Sequence, residues 1–369
     1  MKKILIITSV TTGSGHKSIC DSLIEQFELM PDVNAKAVDG FDMAGSFAYH
    51  SSYIYGMLTR HCPWLYNLFW KITDNVKPGF RLVTHMCRQR FLELVRSFEP
   101  DLIISVHSFF NTSLTNLIKT SGLSIPVAVV QADLVSIHST WCNPDADVTL
   151  CPTEEAYEIS IKHGMPREKL KVIGFPVRKK FADAHKASSI QSFARPNPIS
   201  VLLMGGGEGS RGLKTYADIL LKDPDIRLTI ICGRNVKLLK TLQKQISPQD
   251  QERVEILGFI DDIEQRMLDN DILIARGSPN TLTEAVMMGI PVILTGPFLE
   301  QERGNYRLAE EQNIGVVCKH PNDILTIIND LLDNDGAALK NIREAQDRMR
   351  TYDNARDIAS YVCDLINRL

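Results

Sequence analysis

The sequence lacks any apolar run of the roughly 20 residues that a membrane-spanning helix needs. The amino-terminal run Met-Lys-Lys-Ile-Leu-Ile-Ile stops after a strand's length, and the small-residue cleavage site of a signal peptide does not follow it. We therefore expect a cytoplasmic chain. Any association with a membrane is expected to be peripheral, through a protein surface on the cytoplasmic face.

Clustered charge and paired cysteines are also missing. The 41 Lys and Arg residues are balanced by 44 Asp and Glu residues, and no basic cluster suited to a phosphate backbone dominates. The eight cysteines are scattered without a C-x-x-C pair, which argues against zinc and disulfide frameworks. We expect reduced cysteines, no metal site and no nucleic-acid partner.

What is present is enough apolar sequence for two cores, since hydrophobic residues make up 44% of 369 positions. Short β-rich runs alternate with longer amphipathic segments, which predicts an α/β fold with two doubly wound parallel sheets of about five strands each. The predicted strands are Ile4–Ser9, Leu102–Val106, Val127–Gln131, Val148–Cys151 and a weaker Val172–Gly174, then Ser200–Met204, Leu228–Cys232, Val254–Leu257, Ile272–Ala275 and Pro291–Leu294.

A polar segment, 179–198, separates the two sets of strands. It has the composition of an interdomain connection. We predict one domain over residues 1–180 and a second over 199–345. The remainder, 346–369, has helical spacing, and we expect one or two helices that pack back on the first domain.

A glycine-containing turn follows the first strand and opens a helix, with the sequence Thr-Thr-Gly-Ser-Gly-His-Lys-Ser at residues 11–18. Its spacing is neither that of a P-loop nor that of the dinucleotide fingerprint. His16 is expected at the rim formed by strand carboxyl ends, where open α/β sheets bind ligands. Its imidazole can take a proton from an attacking hydroxyl. The alternative is a histidine that caps or packs against its own turn.

Two further turns follow strands of the second half. Gly205, Gly206 and Gly207, followed by Glu208, expose backbone amides to a phosphate, although a plain flexible turn has the same composition. In the turn 276–285, Ser278 and Thr281 can donate to a diphosphate, and Glu284 can accept from ribose hydroxyls. The alternative for Glu284 is a capping box with Thr281.

A polar cluster follows the last predicted strand, where Gln301, Glu302 and Asn305 offer amide and carboxylate groups to a sugar. A solvated helix face is the alternative. Together these turns describe a nucleotide-sugar site. Because no D-x-D triplet follows an early strand, we expect no obligatory metal, and we expect helix N-termini with Arg211 or Arg234 to meet the diphosphate charge.

At these residues the sequence resembles the monogalactosyldiacylglycerol synthase and processive diacylglycerol glucosyltransferase family, relatives of the peptidoglycan transferase that adds N-acetylglucosamine to lipid I. The resemblance runs in order across nearly the whole chain. The stretches that carry it are 12–16, 100–107, Asp133 through His138 to Trp141, 174–178, 202–209, 232–235, 258–259, 281–285, and Gln301-Glu302 with Gly304-Asn305.

The resemblance implies a GT-B architecture, in which two Rossmann-like domains face a cleft and hold the acceptor in the N-terminal half and the UDP-sugar in the C-terminal half. It implies inversion at the anomeric carbon, with His16 at the position of the family's candidate base. The donor residues that it implies, together with the turns above, are Gly206, Gly207, Glu208, Arg234, Phe259, Gly277, Ser278, Thr281, Glu284, Gln301, Glu302 and Asn305.

Two positions depart from the family pattern. The plant galactolipid synthases carry an acidic residue two positions before the first glycine, where this chain has Thr11, so a catalytic role for that carboxylate does not transfer. Their Gly-Pro-Gly-Thr turn becomes Ser278-Pro279-Asn280-Thr281 here, which narrows the loop at the diphosphate and leaves the hexose undetermined.

The acceptor side has two candidate groups. Residues 47–70 are rich in aromatic rings interleaved with cations, and Tyr55 and Trp64 are predicted to contact lipid at a membrane surface; the alternative is that these rings form core. Asp133, His138, Trp141 and Gly15 form the second group, in which Asp133 is a reserve candidate for the catalytic base. The alternative for Asp133 and Trp141 is that they fix a loop by hydrogen bonding.

These expectations combine into one predicted activity, the transfer of a hexose from a UDP-sugar, such as UDP-glucose or UDP-galactose, to a lipid acceptor, with diacylglycerol favoured. Three alternatives stay open at this point. The acceptor can be a polyprenyl-linked or small soluble molecule, the reaction can be 2-epimerisation of a UDP-sugar on the same fold, or the chain can be a nucleotide-binding regulatory protein.

Overall fold

The computed structural model describes residues 1–10, 14–46, 48–50, 58–59, 62–75, 80–188, 198–205 and 212–368. They divide into two units, each built on its own parallel sheet. Unit 1 comprises Met1–Lys179, Leu299–Gln301 and Asp353–Leu369, and unit 2 comprises Lys180–Phe298 and Glu302–Tyr352.

The strands form where short runs of Ile, Leu and Val recur. The central ones are buried on both faces, which is why they show apolar runs without alternation. In chain order they are β1 (Lys2–Thr8), β2 (Val33–Asp39), β3 (Leu102–Ser105), β4 (Val127–Val130), β5 (Val148–Cys151) and β6 (Leu170–Val172), followed by β7 (Ile199–Met204), β8 (Ile226–Ile231), β9 (Val254–Leu257), β10 (Ile272–Arg276), β11 (Val292–Thr295) and β12 (Gly315–Cys318).

Helices connect the strands and cover the sheets. In chain order the described ones are α1 (Ser14–Glu28), α2 (Gly40–Met43), α3 (Pro63–Asn75), α4 (Phe80–Phe98), α5 (Asn111–Thr120), α6 (Glu154–Lys162), α7 (Lys179–Ala187), α8 (Gly212–Leu220), α9 (Val236–Gln243), α10 (Ile263–Leu268), α11 (Pro279–Met288), α12 (Arg303–Glu311), α13 (Ile324–Met349) and α14 (Asn354–Arg368). Helix α13 is interrupted at residues 333–336, where Asn334, Asp335 and Gly336 have positive φ angles. No helix within the described ranges is long and apolar enough to cross a bilayer.

The strand order of each sheet locates a switch point, at which successive connections leave in opposite directions. In unit 1 the order is β2-β1-β3-β4-β5-β6, so the switch lies between β1 and β3. In unit 2 the order β12-β11-β10-β7-β8-β9 is the Rossmann arrangement, with its switch between β7 and β10. Ligands of such sheets bind outside the carboxyl ends of the strands at these points.

The predicted doubly wound α/β fold is confirmed, and each of the ten predicted strands overlaps an observed one. The expected five strands per sheet were too few, because each sheet has six. The missed strands, β2 and β12, are both edge strands. Strand β2 alternates apolar with polar residues and is largely accessible, and β12 begins with a glycine, so neither produces an uninterrupted run of large apolar residues.

Candidate active site

His16 lies in the first turn of α1, directly beyond the carboxyl end of β1 and beside the switch point of unit 1. Two contacts with neighbouring strands fix it. The Thr8 hydroxyl donates to the His16 carbonyl at 3.1 Å. The imidazole Nδ1 donates to the carbonyl of Val106, which directly follows β3, at 2.8 Å. His16 therefore lies at the rim formed by the strand carboxyl ends, where the sequence predicts it.

The bond to Val106 determines the tautomer of His16. A carbonyl oxygen only accepts, so the hydrogen lies on Nδ1 and Nε2 carries the lone pair. Burial lowers the pKa of this imidazole from 6.5 to about 4, and the bond to the Val106 carbonyl opposes that shift. At neutral pH His16 is therefore an uncharged proton acceptor through Nε2.

A second histidine, His107, pairs with the first. The ring centroids of His16 and His107 are 4.4 Å apart, and the backbone N–H of Phe109 donates to His107 Nδ1 at 3.3 Å. Burial and, to a smaller extent, the neighbouring His16 hold the pKa of His107 well below 6.5. Because burial disfavours the charged form of both imidazoles, the pair is neutral at physiological pH.

Asp133 follows β4 and is 2% exposed. Its Oδ2 accepts a hydrogen bond from Trp141 Nε1 at 2.7 Å, and its Oδ1 accepts one from Gln301 Nε2 at 2.8 Å. The Tyr66 hydroxyl donates to Gln301 Oε1 at 2.9 Å. Gln301 belongs to unit 1. The sequence predicts that Gln301 binds the UDP-sugar, but in the structure it contacts residues that the sequence assigns to the acceptor side.

His138 is buried and fixes the short helical turn Ser139–Trp141 against α3. Its Nδ1 accepts from the Thr140 backbone N–H at 3.2 Å, so its hydrogen lies on Nε2, which donates to the carbonyl of Trp70 at 3.2 Å. Burial lowers its pKa, and the nearby Asp74 carboxylate opposes that shift. Both nitrogens are thus used within the protein, and His138 supports the site in this structure without presenting a nitrogen to solvent.

In unit 2 the predicted diphosphate turn lies at the carboxyl end of β10, beside the switch point. Ser278 caps α11, since its hydroxyl accepts from the Thr281 backbone N–H at 3.3 Å and donates to Thr281 Oγ1 at 2.9 Å. Glu284 lies further along α11 and is buried. The capping box of Thr281 with Glu284 is therefore ruled out, because the N-cap is Ser278.

Gly277 is held by residues of α12. Asn305 is fully buried, and its Nδ2 donates to the Gly277 carbonyl at 2.9 Å. The Tyr306 hydroxyl accepts from the Gly277 N–H at 3.3 Å and donates to the Thr295 carbonyl at 2.9 Å. Asn305, predicted to bind the sugar, thus has its side chain directed at the backbone of the turn.

Glu302 is buried and forms an ion pair with the partly exposed Arg276, the last residue of β10. The Arg276 Nε donates to both carboxylate oxygens of Glu302, at 2.9 and 2.8 Å, and its second nitrogen donates to Oε1 at 2.5 Å. Glu302 is 3% exposed. In this structure its carboxylate therefore positions Arg276 at the switch point, and a role in binding the hexose stays a prediction.

Arg234 and Phe259 occupy the carboxyl ends of the neighbouring strands β8 and β9. The guanidinium carbon of Arg234 lies 4.6 Å from the centroid of the Phe259 ring, within range of a cation–π interaction. Both side chains are exposed. They are accessible to a ligand at this edge of the sheet, where the sequence predicts that Arg234 meets the diphosphate charge.

Helix α3 carries the described part of the predicted lipid segment. Tyr66 is buried, whereas Trp64 is 69% exposed and Phe69 is 57% exposed. Leu68 and Ile72 are also exposed. The alternative that these rings form core therefore holds for only part of the helix, and a set of large apolar side chains is exposed.

Some predicted residues lie outside the described ranges. They are Gly206, Gly207 and Glu208 of the glycine turn, Tyr55 of the aromatic segment, and Thr11 and Arg211. Gly15 is described and lies exposed in the first turn of α1. Over the described ranges, no group of three or more His, Cys, Asp or Glu residues is arranged to hold a metal ion.

The sequence gives no individual site role to four residues that lie in or contact the candidate site: Tyr66, His107, Arg276 and Tyr306. His107 and Arg276 stand directly after predicted strands, which is a usable signal. The contacts of Tyr66 with Gln301 and of Tyr306 with Gly277 join residues far apart in the chain. No local pattern records such a pairing.

Comparison with family models supports the resemblance seen in the sequence. Residues 16–177 match the model described as monogalactosyldiacylglycerol (MGDG) synthase. Residues 200–319 match the glycosyltransferase family 28 C-terminal domain. Each sheet therefore lies largely within one matched region.

Relatives whose descriptions are known support the same resemblance. The chain is 29% identical over 363 residues to monogalactosyldiacylglycerol synthase 1, chloroplastic, of Arabidopsis thaliana, covering 89% of this chain and 64% of that protein. It is thus similar to less than two thirds of the plant protein's length. It is 25% identical over 337 residues to the processive diacylglycerol β-glucosyltransferase of Bacillus subtilis strain 168, covering 90% of this chain and 87% of that one. The predicted family resemblance is confirmed.

A solved structure shows the same fold at low identity. The crystal structure of MurG from Acinetobacter baumannii aligns with a TM-score of 0.67 and 12% identity, over 100% of both chains. At this identity the likeness shows the fold alone. The predicted GT-B fold is confirmed.

Proposed function

We propose that this chain, which is similar to the monogalactosyldiacylglycerol synthase and processive diacylglycerol glucosyltransferase family, transfers a hexose from a UDP-sugar to diacylglycerol at a membrane surface. The observation that carries the proposal is the state of His16. A neutral imidazole stands at the switch point of unit 1, with Nδ1–H bound to Val106 and the lone pair on Nε2. Such a group can accept the proton of an attacking hydroxyl.

Unit 2 supplies the features that a nucleotide diphosphate requires. Helix α11 begins at the switch point of a Rossmann-type sheet, with backbone N–H groups and the Ser278 hydroxyl at its N-terminus. A helix N-terminus stabilises the negative charge of a bound or departing diphosphate. Arg234 and Phe259 offer a cation and an aromatic face at the adjacent strand ends. We assign UDP to this edge.

In the proposed reaction, the acceptor hydroxyl attacks the anomeric carbon while the bond from that carbon to the UDP oxygen breaks. The hydroxyl proton passes to His16 Nε2, and the electron pair of the broken bond leaves with UDP. A single displacement of this kind inverts the configuration, so an α-linked donor gives a β-linked product. The donors at the start of α11 stabilise the charge on the leaving group.

The acceptor class follows from the relatives, whose names specify diacylglycerol, and from the surface of α3. Trp64, Leu68, Phe69 and Ile72 are exposed on this helix. Arg81, Arg88 and Arg90 are exposed on α4 of the same unit. Exposed apolar side chains and exposed cations on one unit suit the interface of an anionic membrane. We propose peripheral binding at the cytoplasmic face.

A donor screen tests the proposed activity. The protein is incubated with UDP-glucose, UDP-galactose or UDP-N-acetylglucosamine and vesicles that contain diacylglycerol, and UDP release is measured. We expect release with at least one donor, dependent on diacylglycerol, and a loss of about 10²- to 10⁴-fold in kcat for His16→Ala. Binding of the donor to His16→Ala, measured by calorimetry, should persist.

Other outcomes of the screen identify the alternatives. Release with a polyprenyl phosphate or a soluble acceptor, and none with diacylglycerol, would change the acceptor class. Exchange of solvent deuterium into the second carbon of the sugar without any acceptor would indicate an epimerase. No UDP release with any donor, together with unchanged donor binding by His16→Ala, would favour a nucleotide-binding regulatory protein.

Membrane binding is tested by cosedimentation with vesicles of phosphatidylglycerol and phosphatidylcholine. The double variant Trp64→Glu with Phe69→Glu should lose most of the binding, because it places charge on the exposed face of α3. Leu29→Glu is the matched control. Leu29 is 64% exposed and follows the end of α1, at the opposite edge of the sheet from His16. Equal loss in the control would contradict the assignment.

A further inference from the structure

Asp133 is buried, and each of its carboxylate oxygens accepts a hydrogen bond from a side chain distant in the chain. Trp141, eight residues away, donates to Oδ2 at 2.7 Å. Gln301, 168 residues away, donates to Oδ1 at 2.8 Å. Hydrogen bonds to an ionised acceptor are shorter and stronger than neutral ones. The carboxylate therefore holds two side chains in place at once.

Gln301 is fixed at both ends of its amide. A carboxylate only accepts, so the amide nitrogen must face Asp133 and the amide oxygen must face Tyr66. The Tyr66 hydroxyl is at 2.9 Å from that oxygen, and Tyr66 is buried. Asp133 and Tyr66 thus determine which way the Gln301 amide points.

Trp141 connects Asp133 with the imidazole of His16. The indole is 1% exposed, and its ring centroid lies 6.3 Å from that of His16. A buried indole N–H requires a hydrogen-bond acceptor, and Asp133 supplies it. The position of the Trp141 indole beside His16 therefore depends on the Asp133 carboxylate.

We propose that Asp133 is a positioning residue, which fixes the Gln301 amide and the Trp141 indole for hexose transfer and does not itself accept the acceptor's proton. The inference rests on the proposed function. A carboxylate that acts as a base must present an oxygen to the attacking hydroxyl. Here each oxygen accepts from a protein donor within 2.8 Å, and Asp133 is 2% exposed, so neither oxygen is presented to solvent. His16 is the base in this assignment.

Asp133→Asn tests the proposal by activity. The variant has the same shape, but its NH₂ group must face either the Trp141 or the Gln301 donor, so at least one hydrogen bond is replaced by two opposed donors. We expect KM for the UDP-sugar to rise about tenfold, kcat to fall by less than about tenfold, and the acidic limb of the pH profile to stay in place. A fall in kcat of about 10²-fold or more with loss of that limb would identify Asp133 as the base and overturn the proposal.

A spectroscopic measurement tests the same contacts without any activity. The chain has three tryptophans, so the indole ¹H–¹⁵N spectrum is simple, and Trp141→Phe assigns the resonance of Trp141. We expect that resonance to exchange slowly with solvent in the wild type and to shift in Asp133→Asn. Tyr66→Phe, which removes only the other partner of Gln301, should leave it in place. An unchanged Trp141 resonance in Asp133→Asn would refute the contact.

If Asp133→Asn does not fold, a double-mutant cycle tests the same contacts. Trp141→Phe and Gln301→Ala each remove one donor to the carboxylate, so their effects on the free energy of unfolding should be non-additive. Additive effects would contradict a shared anchor. Because the spectrum and the cycle need no substrate, absence of hexose transfer would overturn the proposed function and leave these two results interpretable.

Discussion

The pH dependence of catalysis gives a direct consequence of the environment of His16. The group must be neutral to accept a proton, so kcat/KM falls as the pH drops through the pKa of His16 in the free enzyme. Burial lowers that pKa from 6.5 to about 4. At pH 5.5, about 97% of an imidazole with a pKa of about 4 is neutral. An imidazole at 6.5 would be only about 9% neutral at that pH.

The predicted contrast is therefore about tenfold at pH 5.5. We expect kcat/KM at pH 5.5 to remain close to its value at pH 7.5 and to decline only near pH 4. The assay is UDP release at subsaturating donor over this range, with tryptophan fluorescence at each pH to verify that the protein stays folded. His320→Ala is a matched control, because His320 is an exposed histidine of unit 2, and its profile should equal that of the wild type.

Two results would refute this reasoning. The first is an acidic limb with a midpoint at 6.5 or above, since burial moves the pKa of His16, and likewise those of His107 and His138, downward. The second is a His16→Gln variant that keeps more than a few per cent of wild-type kcat with the same limb. Either would place the essential base elsewhere.

Two changes in unit 2 test the turn at the end of β10. Glu302→Gln leaves the Arg276 charge without its buried carboxylate, and should lower the free energy of unfolding by about 1.5–3 kcal/mol in urea denaturation. Gly277→Ala would place a Cβ 2.7 Å from the Tyr306 ring, so the ring must move; we expect a loss of about 1–3 kcal/mol and weaker UDP binding by calorimetry.

Each of these changes has a matched control. Glu300→Gln alters an ion pair with Lys71 of 3.6 Å whose lysine is 60% exposed, and should cost less than about 1 kcal/mol. At Gly212 an added Cβ meets nothing within 4 Å, so Gly212→Ala should be nearly neutral in stability. Equal effects in test and control variants would contradict the roles given to Arg276 and Tyr306.

Much of the fold follows from local patterns, and most of the site geometry does not. The short apolar runs of the central strands predict those strands directly. A turn with small residues after a strand predicts a rim at which ligands bind. His16 was placed correctly at that rim by such reasoning. The sequence does not predict the edge strands β2 and β12, because β2 alternates apolar with polar residues and β12 begins with a glycine.

The unpredicted part consists of side-chain pairings across long sequence separations. Glu302 and Asn305 were assigned to the sugar because their residue types suit hydroxyl groups. The structure directs them to Arg276 and to the Gly277 carbonyl. The sequence does not distinguish a carboxylate that binds a sugar from one that binds an arginine. Only the contacts of Glu302 and Asn305 with the end of β10 and the following turn distinguish them.

The configuration of the product tests the central claim most directly. The protein is incubated with an α-linked UDP-hexose that supports UDP release and with diacylglycerol vesicles, and the lipid extract is analysed by proton NMR at the anomeric position. A single displacement assisted by His16 predicts a β-linked hexose on the free hydroxyl of diacylglycerol. An α-linked glycolipid would contradict the account. UDP release with the hexose recovered only as free sugar in the aqueous phase would also contradict it.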